Sequence, residues 1–356
     1  MNSQDVAGLN ELGWDDGFAR ALADIGDLSL EPARIATDFG TRFLIESSSG
    51  SADASLAASL QQAGRPVAVG DWVAVERRAD VTLIRHVLPR RTAVGRKGPD
   101  AEVERQVIAA NVDLVLIATA LGPDFNLRRI ERLLTVAYQS GAVPTILLTK
   151  ADLDEASPYQ ARLAEIAPGV PALAVSALRG DGLDGVRALF RVGKTAVLLG
   201  SSGVGKSTLI NRLLGDDRLR TQAVHQTGQG RHTTSHRELL RVPGGGLIID
   251  TPGLREIQLW AGEDALGQVF ADIEELARGC RFTDCRHQGE PGCAVRAALD
   301  DGRLHGDRLK NYRKMQRELR AIEVRADARL QSEERRKWKA THRAVKEQTK
   351  IKRRWS

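Results

Sequence analysis

The sequence predicts a multi-domain chain: a small N-terminal β-barrel, then a doubly wound α/β domain, then an α-helical segment built around a metal site. Three observations predict it. Between Pro32 and Leu88, β-forming residues alternate with turn residues at short intervals, as strands with one covered face require. From about Val103 the pattern changes to short, near-continuous apolar runs separated by helical stretches, the mark of parallel strands covered on both faces. All three cysteines, Cys280, Cys285 and Cys293, then fall in one window with His287. At 356 residues the chain exceeds what one compact core usually holds, so separate domains are expected. The expected divisions are an N-terminal extension over 1–30, a barrel over 31–95, the α/β domain over 96–254, a metal-binding domain over 255–310 and a basic tail over 311–356.

In chain order, residues 1–30 read as an acidic lead-in with a short amphipathic helix around Trp14 to Ile25. Pro32 to Ile45 and Pro66 to Leu88 carry the barrel strands, and the Ser/Ala/Gly-rich stretch Ser47 to Ser59 reads as a loop between them. Strand length and spacing suit an OB-type barrel, but alternation alone does not separate that from an SH3-like one. Asp38-Phe39-Gly40 is a turn signal. Strands follow at Val112 to Ala118, Val143 to Leu148, Ala172 to Val175, Ala196 to Leu199 and Leu247 to Ile249. A helix over Leu127 to Gln139 is predicted from its apolar period, with Asn126 as N-cap. Beyond Gly253 the chain reads as helical, interrupted by the cysteine cluster, and it ends in a long charged helix or disordered tail.

Neither a signal peptide nor a membrane span is expected, since the one strongly apolar run, Val112 to Leu121, is short and contains Asp113. Three clustered cysteines suit a reducing cytoplasm and a metal better than a disulfide framework. The net charge of +6 hides an asymmetry: residues 303–356 hold 19 Lys+Arg against 7 Asp+Glu, a local +12 that leaves −6 for residues 1–302. Such a stretch is either a solvated helical face or a contact for phosphate backbones.

Gly200-Ser201-Ser202-Gly203-Val204-Gly205-Lys206-Ser207-Thr208 follows an apolar run and opens a predicted helix, the context of a Walker A phosphate loop. Its glycines let backbone N–H groups wrap phosphate oxygens, Lys206 would reach the β- and γ-phosphates, and Ser207 would ligate Mg²⁺. Thr149-Lys150-Ala151-Asp152 has the form of a guanine-specificity motif. A carboxylate at Asp152 accepts bonds from both guanine N1–H and the 2-amino group, a donor pair adenine lacks, so GTP should be preferred over ATP. Thr149 departs from the commoner asparagine. Ser176-Ala177-Leu178 matches the companion motif whose backbone N–H recognises guanine O6. Asp250-Thr251-Pro252-Gly253 fits the loop that holds Mg²⁺ through water and senses the γ-phosphate through the Gly253 N–H.

Gly230-Arg231-His232-Thr233-Thr234 lies where a switch loop donates a threonine to Mg²⁺, with Thr233 and Thr234 both eligible. The position after Gly253, where small GTPases carry a water-orienting glutamine, is Leu254. Turnover should therefore be slow until a partner completes the site or a histidine substitutes. His232 is the catalytic candidate, against the alternatives of an exposed bystander or an RNA contact.

Chain order is the sharpest clue. The base-specificity motifs precede the phosphate loop, so the set is complete but rotated, and a parallel sheet keeps its pocket when the termini move. The central domain is therefore predicted to be a circularly permuted P-loop GTPase. Cys280-x4-Cys285-x-His287-x5-Cys293 offers three thiolates and one imidazole, enough to close a tetrahedral structural Zn²⁺ site.

Taken together, the permuted motifs, the preceding barrel and the Cys/His module resemble the ribosome small-subunit-dependent, circularly permuted GTPase family. The resemblance rests on Thr149 to Asp152, Gly200 to Thr208, Gly230 to Thr234, Asp250 to Gly253 and the four metal candidates; Val69-Gly70-Asp71-Trp72-Val73 looks like that family's barrel. It implies an OB-fold amino domain, a zinc-bearing C-terminal domain and a late role in maturing the 30S subunit on 16S rRNA, with GTP converted to GDP under stimulation by the subunit. A cytoplasmic monomer with no membrane partner goes with it. The competing readings are a P-loop phosphotransferase and a non-hydrolysing RNA-binding module that nucleotide only stabilises.

Overall fold

The computed structural model describes residues 3–63, 67–79, 81–97, 105–215, 237–251 and 263–326. The chain forms two compact units, one of residues 1–96 with 106–258, the other of residues 97–105 with 259–356.

The first unit begins with α1 (Ser3–Glu11) and α2 (Asp16–Ala23). Asp15 caps α2, its carboxylate accepting from the N–H groups of Gly17 and Phe18, as a residue of this type does at an N-cap. Leu9, Leu12, Trp14 and Phe18 are buried, and Trp14 meets Trp72 edge-on with ring centroids 4.7 Å apart. The lead-in is thus a lid on the barrel, two helices rather than one.

The barrel consists of β1 (Glu31–Asp38), β2 (Phe43–Ser47), β3 (Gly50–Leu56), α3 (Ala58–Gln62), β4 (Trp72–Arg77) and β5 (Thr82–Val87). Strand order runs β1-β2-β3-β5-β4 and closes through β1–β4 pairing. β3 lies parallel to β5, with Ala54 opposite Thr82. One parallel pair, a helix between β3 and β4, and closure make this an OB barrel. Ile35, Ile45, Val73, Val75 and Ile84 fill it. The stretch Ser47 to Ser59, expected as a loop, contains β3. Its small residues carry no apolar alternation, yet Ala54 is buried and the backbone pairs on both sides, so neighbouring strands impose the conformation. Asp38 turns the chain as expected, accepting from the Gly40 N–H at 2.7 Å.

Arg34 of β1 is buried and donates to the carbonyls of Gly70, Leu12 and Asn111. It ties lid, barrel and the start of the next domain together. Burial pulls its pKa down to about 10, and three carbonyl acceptors offset much of that desolvation.

β6 (Ala93–Lys97) and β7 (Arg105–Ala110) pair with each other. There follow β8 (Leu114–Ala120), α4 (Leu127–Ser140), β9 (Val143–Thr149), α5 (Ser157–Ile166), β10 (Ala172–Val175), α6 (Leu183–Arg187), β11 (Thr195–Gly200), α7 (Lys206–Leu214), β12 (Glu238–Arg241) and β13 (Leu247–Asp250). Sheet order is β10-β9-β8-β11-β13-β12, with β12 continuing to β1. All neighbours in that order up to β13 are parallel, and β12 is antiparallel to β13. Leu116, Leu147, Leu198 and Ile248 from the strands pack with Leu209, Ile210 and Leu213 of α7. Asn126 caps α4 as expected, accepting from the Arg129 N–H at 3.1 Å.

The second unit contains α8 (Glu263–Val269), α9 (Ala271–Arg278), α10 (Ala294–Asp300) and α11 (Gly306–Ala326). Arg308 donates to both carboxylate oxygens of Asp272, at 2.7 and 2.6 Å, and to the Val269 carbonyl at 2.9 Å. The boundary expected at 310 falls inside α11, whose Tyr312, Met315 and Leu319 are buried; the charged composition of that stretch masked a buried stripe at helical spacing. No helix among the described residues is long and apolar enough to cross a membrane.

Candidate active site

Parallel strands present their C-terminal ends at one edge of a sheet, where doubly wound folds bind ligands. Here β11 delivers the phosphate loop, β9 the Thr149 loop, β10 the Ser176 loop and β13 Asp250 to that edge. The four motifs, scattered over some hundred residues, become neighbours because β8 and β11 sit side by side at the sheet centre.

The phosphate loop has the backbone its glycines allow. Gly200 adopts φ 155°, and a Cβ there would stand 2.4 Å from the Ala118 carbonyl oxygen, so this position tolerates no side chain. Gly203 and Gly205 also have positive φ, 81° and 96°, and a Cβ on either would meet nothing within 4 Å. They face open space, as a cradle for a ligand must. Gly205 leads into α7, which starts at Lys206 and carries Ser207 and Thr208 in its first turn, so the helix N-terminus points at the loop. Lys206 Nζ donates to the Gly200 and Ser201 carbonyls at 2.8 and 2.6 Å. Burial pushes its pKa down while the charges of Asp250 and Asp124 pull it back. Asp250 is the mirror case, its carboxyl raised by burial and eased by the Thr251 N–H and Lys206. The two charges are held near one another in a partly desolvated place, ready for an anion and a cation.

The buried hydroxyl of Thr149 lies 2.7 Å from the Val204 carbonyl and 3.2 Å from that of Thr119, so the base loop is strapped to the phosphate loop through one side chain. Lys150 takes a positive φ of 56°, strain of the kind concentrated at ligand sites. The Ala151 N–H donates to the Val175 carbonyl at 3.2 Å, joining the two base loops. Asp152 Oδ1 accepts from Ser176 Oγ at 2.6 Å, which holds its carboxyl below the usual range and leaves it ionised at neutral pH. Ala177 and Leu178 are held from behind, their carbonyls accepting from Arg212 of α7 at 2.9 and 3.2 Å. Nothing local in the sequence marks Arg212 for this role. His232, Thr233, Thr234 and Gly253 lie outside the described residues, as does Leu254.

Substituting Asp152 by Asn should weaken GTP binding about 10- to 100-fold and favour xanthosine triphosphate, because the amide sets a donor against guanine's own donors. Competitive titration of the two nucleotides measures this, and equal GTP affinity in D152N would remove Asp152 from the pocket.

In the second unit Cys280, Cys285, His287 and Cys293 converge, their ligand atoms all within 4.8 Å of one another. His287 Nδ1 lies 3.6 Å from Cys280 Sγ and 3.5 Å from Cys293 Sγ, close to the roughly 3.6 Å that a tetrahedral zinc centre sets between sulfur and nitrogen ligands. The turn that presents His287 is heavily braced. His287 has φ 58°, Arg313 donates to its carbonyl, and Glu290 accepts from the N–H groups of Arg286, Gln288 and Gly289 at 3.0, 2.7 and 3.1 Å. Those N–H groups, with its own, hold the Glu290 carboxyl at about 2. The donor set fits a structural metal ion.

A closed OB barrel ahead of a P-loop sheet whose base-recognition strands come first in the chain defines a circularly permuted GTPase. Residues 87–260 match the model of the family described as RsgA GTPase. The small ribosomal subunit biogenesis GTPase RsgA of Opitutus terrae is 46% identical over 366 residues, covering 98% of this chain and 99% of the relative. The protein of that name from Streptomyces coelicolor is 45% identical over 337 residues, covering 93% of this chain and 92% of its own. Among solved structures, YjeQ from Thermotoga maritima superposes with a TM-score of 0.59 at 26% identity, over 82% of this chain and 98% of that one. YloQ, described as a circularly permuted GTPase, shares the fold at 24% identity and the same TM-score. The chain belongs to the RsgA GTPase family and is a GTP hydrolase. The phosphotransferase reading and the non-hydrolysing one fall with that assignment.

Proposed function

We propose that this GTPase binds the 30S ribosomal subunit through 16S rRNA, assists a late step in its maturation, and departs after converting GTP to GDP under stimulation by the subunit. One observation supports the enzymatic half: the Thr149–Val204 bond, which ties the 149–152 loop to the 200–208 loop despite their permuted order. The site residues are Thr149 to Asp152 with Ser176 and Ala177 for guanine, Gly200 to Thr208 for the phosphates, and Asp250 with Ser207 for Mg²⁺. Mg²⁺ would supply charge neutralisation at the phosphates. Thr233, Thr234 and Gly253 complete the set, and His232 is the candidate for orienting water where Leu254 offers no amide. The Cys280, Cys285, His287 and Cys293 cluster holds zinc in this reading. The cytoplasm is the compartment and a monomer the working form.

The ribosomal half is supported by the names of the relatives, by the OB topology, a fold with a common nucleic-acid-binding face, and by the +12 charge of residues 303–356. GTP turnover with and without purified 30S subunits tests it: a slow basal rate should rise steeply, and an unchanged rate would end the proposal. If the basic stretch meets phosphates, subunit affinity should fall steeply with salt, and removing residues 327–356 should flatten the log–log slope. The same slope in the truncated protein would remove that segment from the interface.

A further inference from the structure

The loop joining β8 to α4, residues 121–126, belongs to none of the nucleotide motifs, yet it stands between them because β8 lies between β9 and β11. On one side it is tied to the base half of the site. The Gly122 N–H donates to Tyr159 Oη at 3.1 Å, Tyr159 Oη donates to Asp154 two residues past Asp152 at 2.5 Å, and Phe125 packs edge-on against the Tyr159 ring at 4.8 Å. On the other side it is tied to the phosphate loop. Ser201 Oγ donates to Asp124 Oδ2 at 3.0 Å, while Arg129 of α4 donates from Nη1 to Asp124 Oδ1 at 2.9 Å and to Ser201 Oγ at 2.8 Å. The Ser201 carbonyl, meanwhile, accepts from Lys206. Ser201 is therefore gripped by its side chain from outside the loop and by its carbonyl from within.

We propose that Asp124, braced by Arg129, is a positioning residue that holds the phosphate loop in its ligand-ready shape through Ser201, fixing the spacing between the phosphate and base halves of the pocket. This rests on the pocket assignment above. The bonds it uses are charge-assisted on one or both sides and close a triangle, so each fixes the direction of the others. A loop ordered beforehand has less conformational freedom to lose when phosphates bind. Sequence could not show this, because Asp124 and Arg129 lie 77 and 72 residues from Ser201.

The test uses the full-length protein with GDP and IDP, the latter lacking the 2-amino group that Asp152 would read. Asp124→Asn and Ser201→Ala should each weaken GDP about tenfold while leaving the GDP-to-IDP affinity ratio at the wild-type value, because the base half is untouched. The double variant should be no weaker than either single one, since both break one linkage. Arg129→Lys, which keeps a cation near Asp124, should fall between wild type and Arg129→Met. Wild-type GDP affinity in both single variants overturns the proposal. So does additive loss in the double variant, a changed GDP-to-IDP ratio, or a lowered melting temperature of the nucleotide-free protein as the sole effect. Failure of the pocket assignment looks different: Lys206→Met would then bind GDP as the wild type does, whatever Asp124 and Ser201 do.

Discussion

Replacing Lys206 by Met should lower GTP turnover by about 10²- to 10³-fold, the loss seen when one preorganised donor to a developing charge is removed. The nucleotide-free protein should melt at the wild-type temperature or slightly above it. Both parts follow from the same environment. Burial disfavours the Lys206 cation, whose Nζ donates to the two loop carbonyls of Gly200 and Ser201. Removing the charge would relieve a desolvation cost and, in the proposed site, would forfeit the contact to phosphate. The thermal shift on adding GDP should shrink accordingly, since a ligand at a hundred times its Kd adds about 2.7 kcal/mol and a tenfold weaker one markedly less. A variant that hydrolyses GTP normally, or whose apo form is strongly destabilised, would show that Lys206 is a structural cation.

The second large effect belongs to the metal cluster. Cys293→Ser should abolish metal binding and unfold the second unit while leaving GDP affinity in the first unit nearly unchanged. Cys293 is buried, and its Sγ lies 3.3 Å from the Arg296 N–H at the start of α10, so this sulfur joins the cluster to a helix. Apparent zinc affinities of about 10–16 kcal/mol for such sites rival the 5–15 kcal/mol that holds a typical domain together. Among the described residues, Phe270, Ile273, Val295, Leu309, Met315 and Leu319 are some of the unit's buried apolar side chains. Metal analysis together with far-ultraviolet circular dichroism checks this, and full zinc content in C293S would disprove the ligand role.

Legibility in the sequence followed the range of the physics. Motifs whose chemistry is carried by adjacent residues were readable: the glycines of 200–205, the cap at Asn126, the strand Ala172–Val175 and the four metal-site side chains all come from local rules of conformation or ligand type. What was hidden is set by neighbours distant in sequence. β3 is Ser/Ala-rich and forms because β2 and β5 flank it. The stripe of Tyr312, Met315 and Leu319 was obscured by the basic residues around it. Arg34 reads as an ordinary charged strand residue, although its guanidinium is surrounded by three carbonyls from segments 22 to 77 residues away. The role of Thr149 lay between these cases. Its departure from asparagine was visible, but the bond to Val204 needed the fold.

The nucleotide-motif sheet and the barrel share one strand ladder. Asp250 ends β13, β13 pairs with β12, and Thr37 of β1 lies opposite Glu238 of β12.

The central claim is that loops in permuted order meet around one guanine nucleotide. A crystal structure with GDP tests it most directly. The β-phosphate should lie within hydrogen-bonding distance of Lys206 Nζ while guanine N1 and the 2-amino group of the same molecule contact Asp152. A base bound away from Asp152, or phosphates outside the Gly200–Lys206 loop, would contradict it.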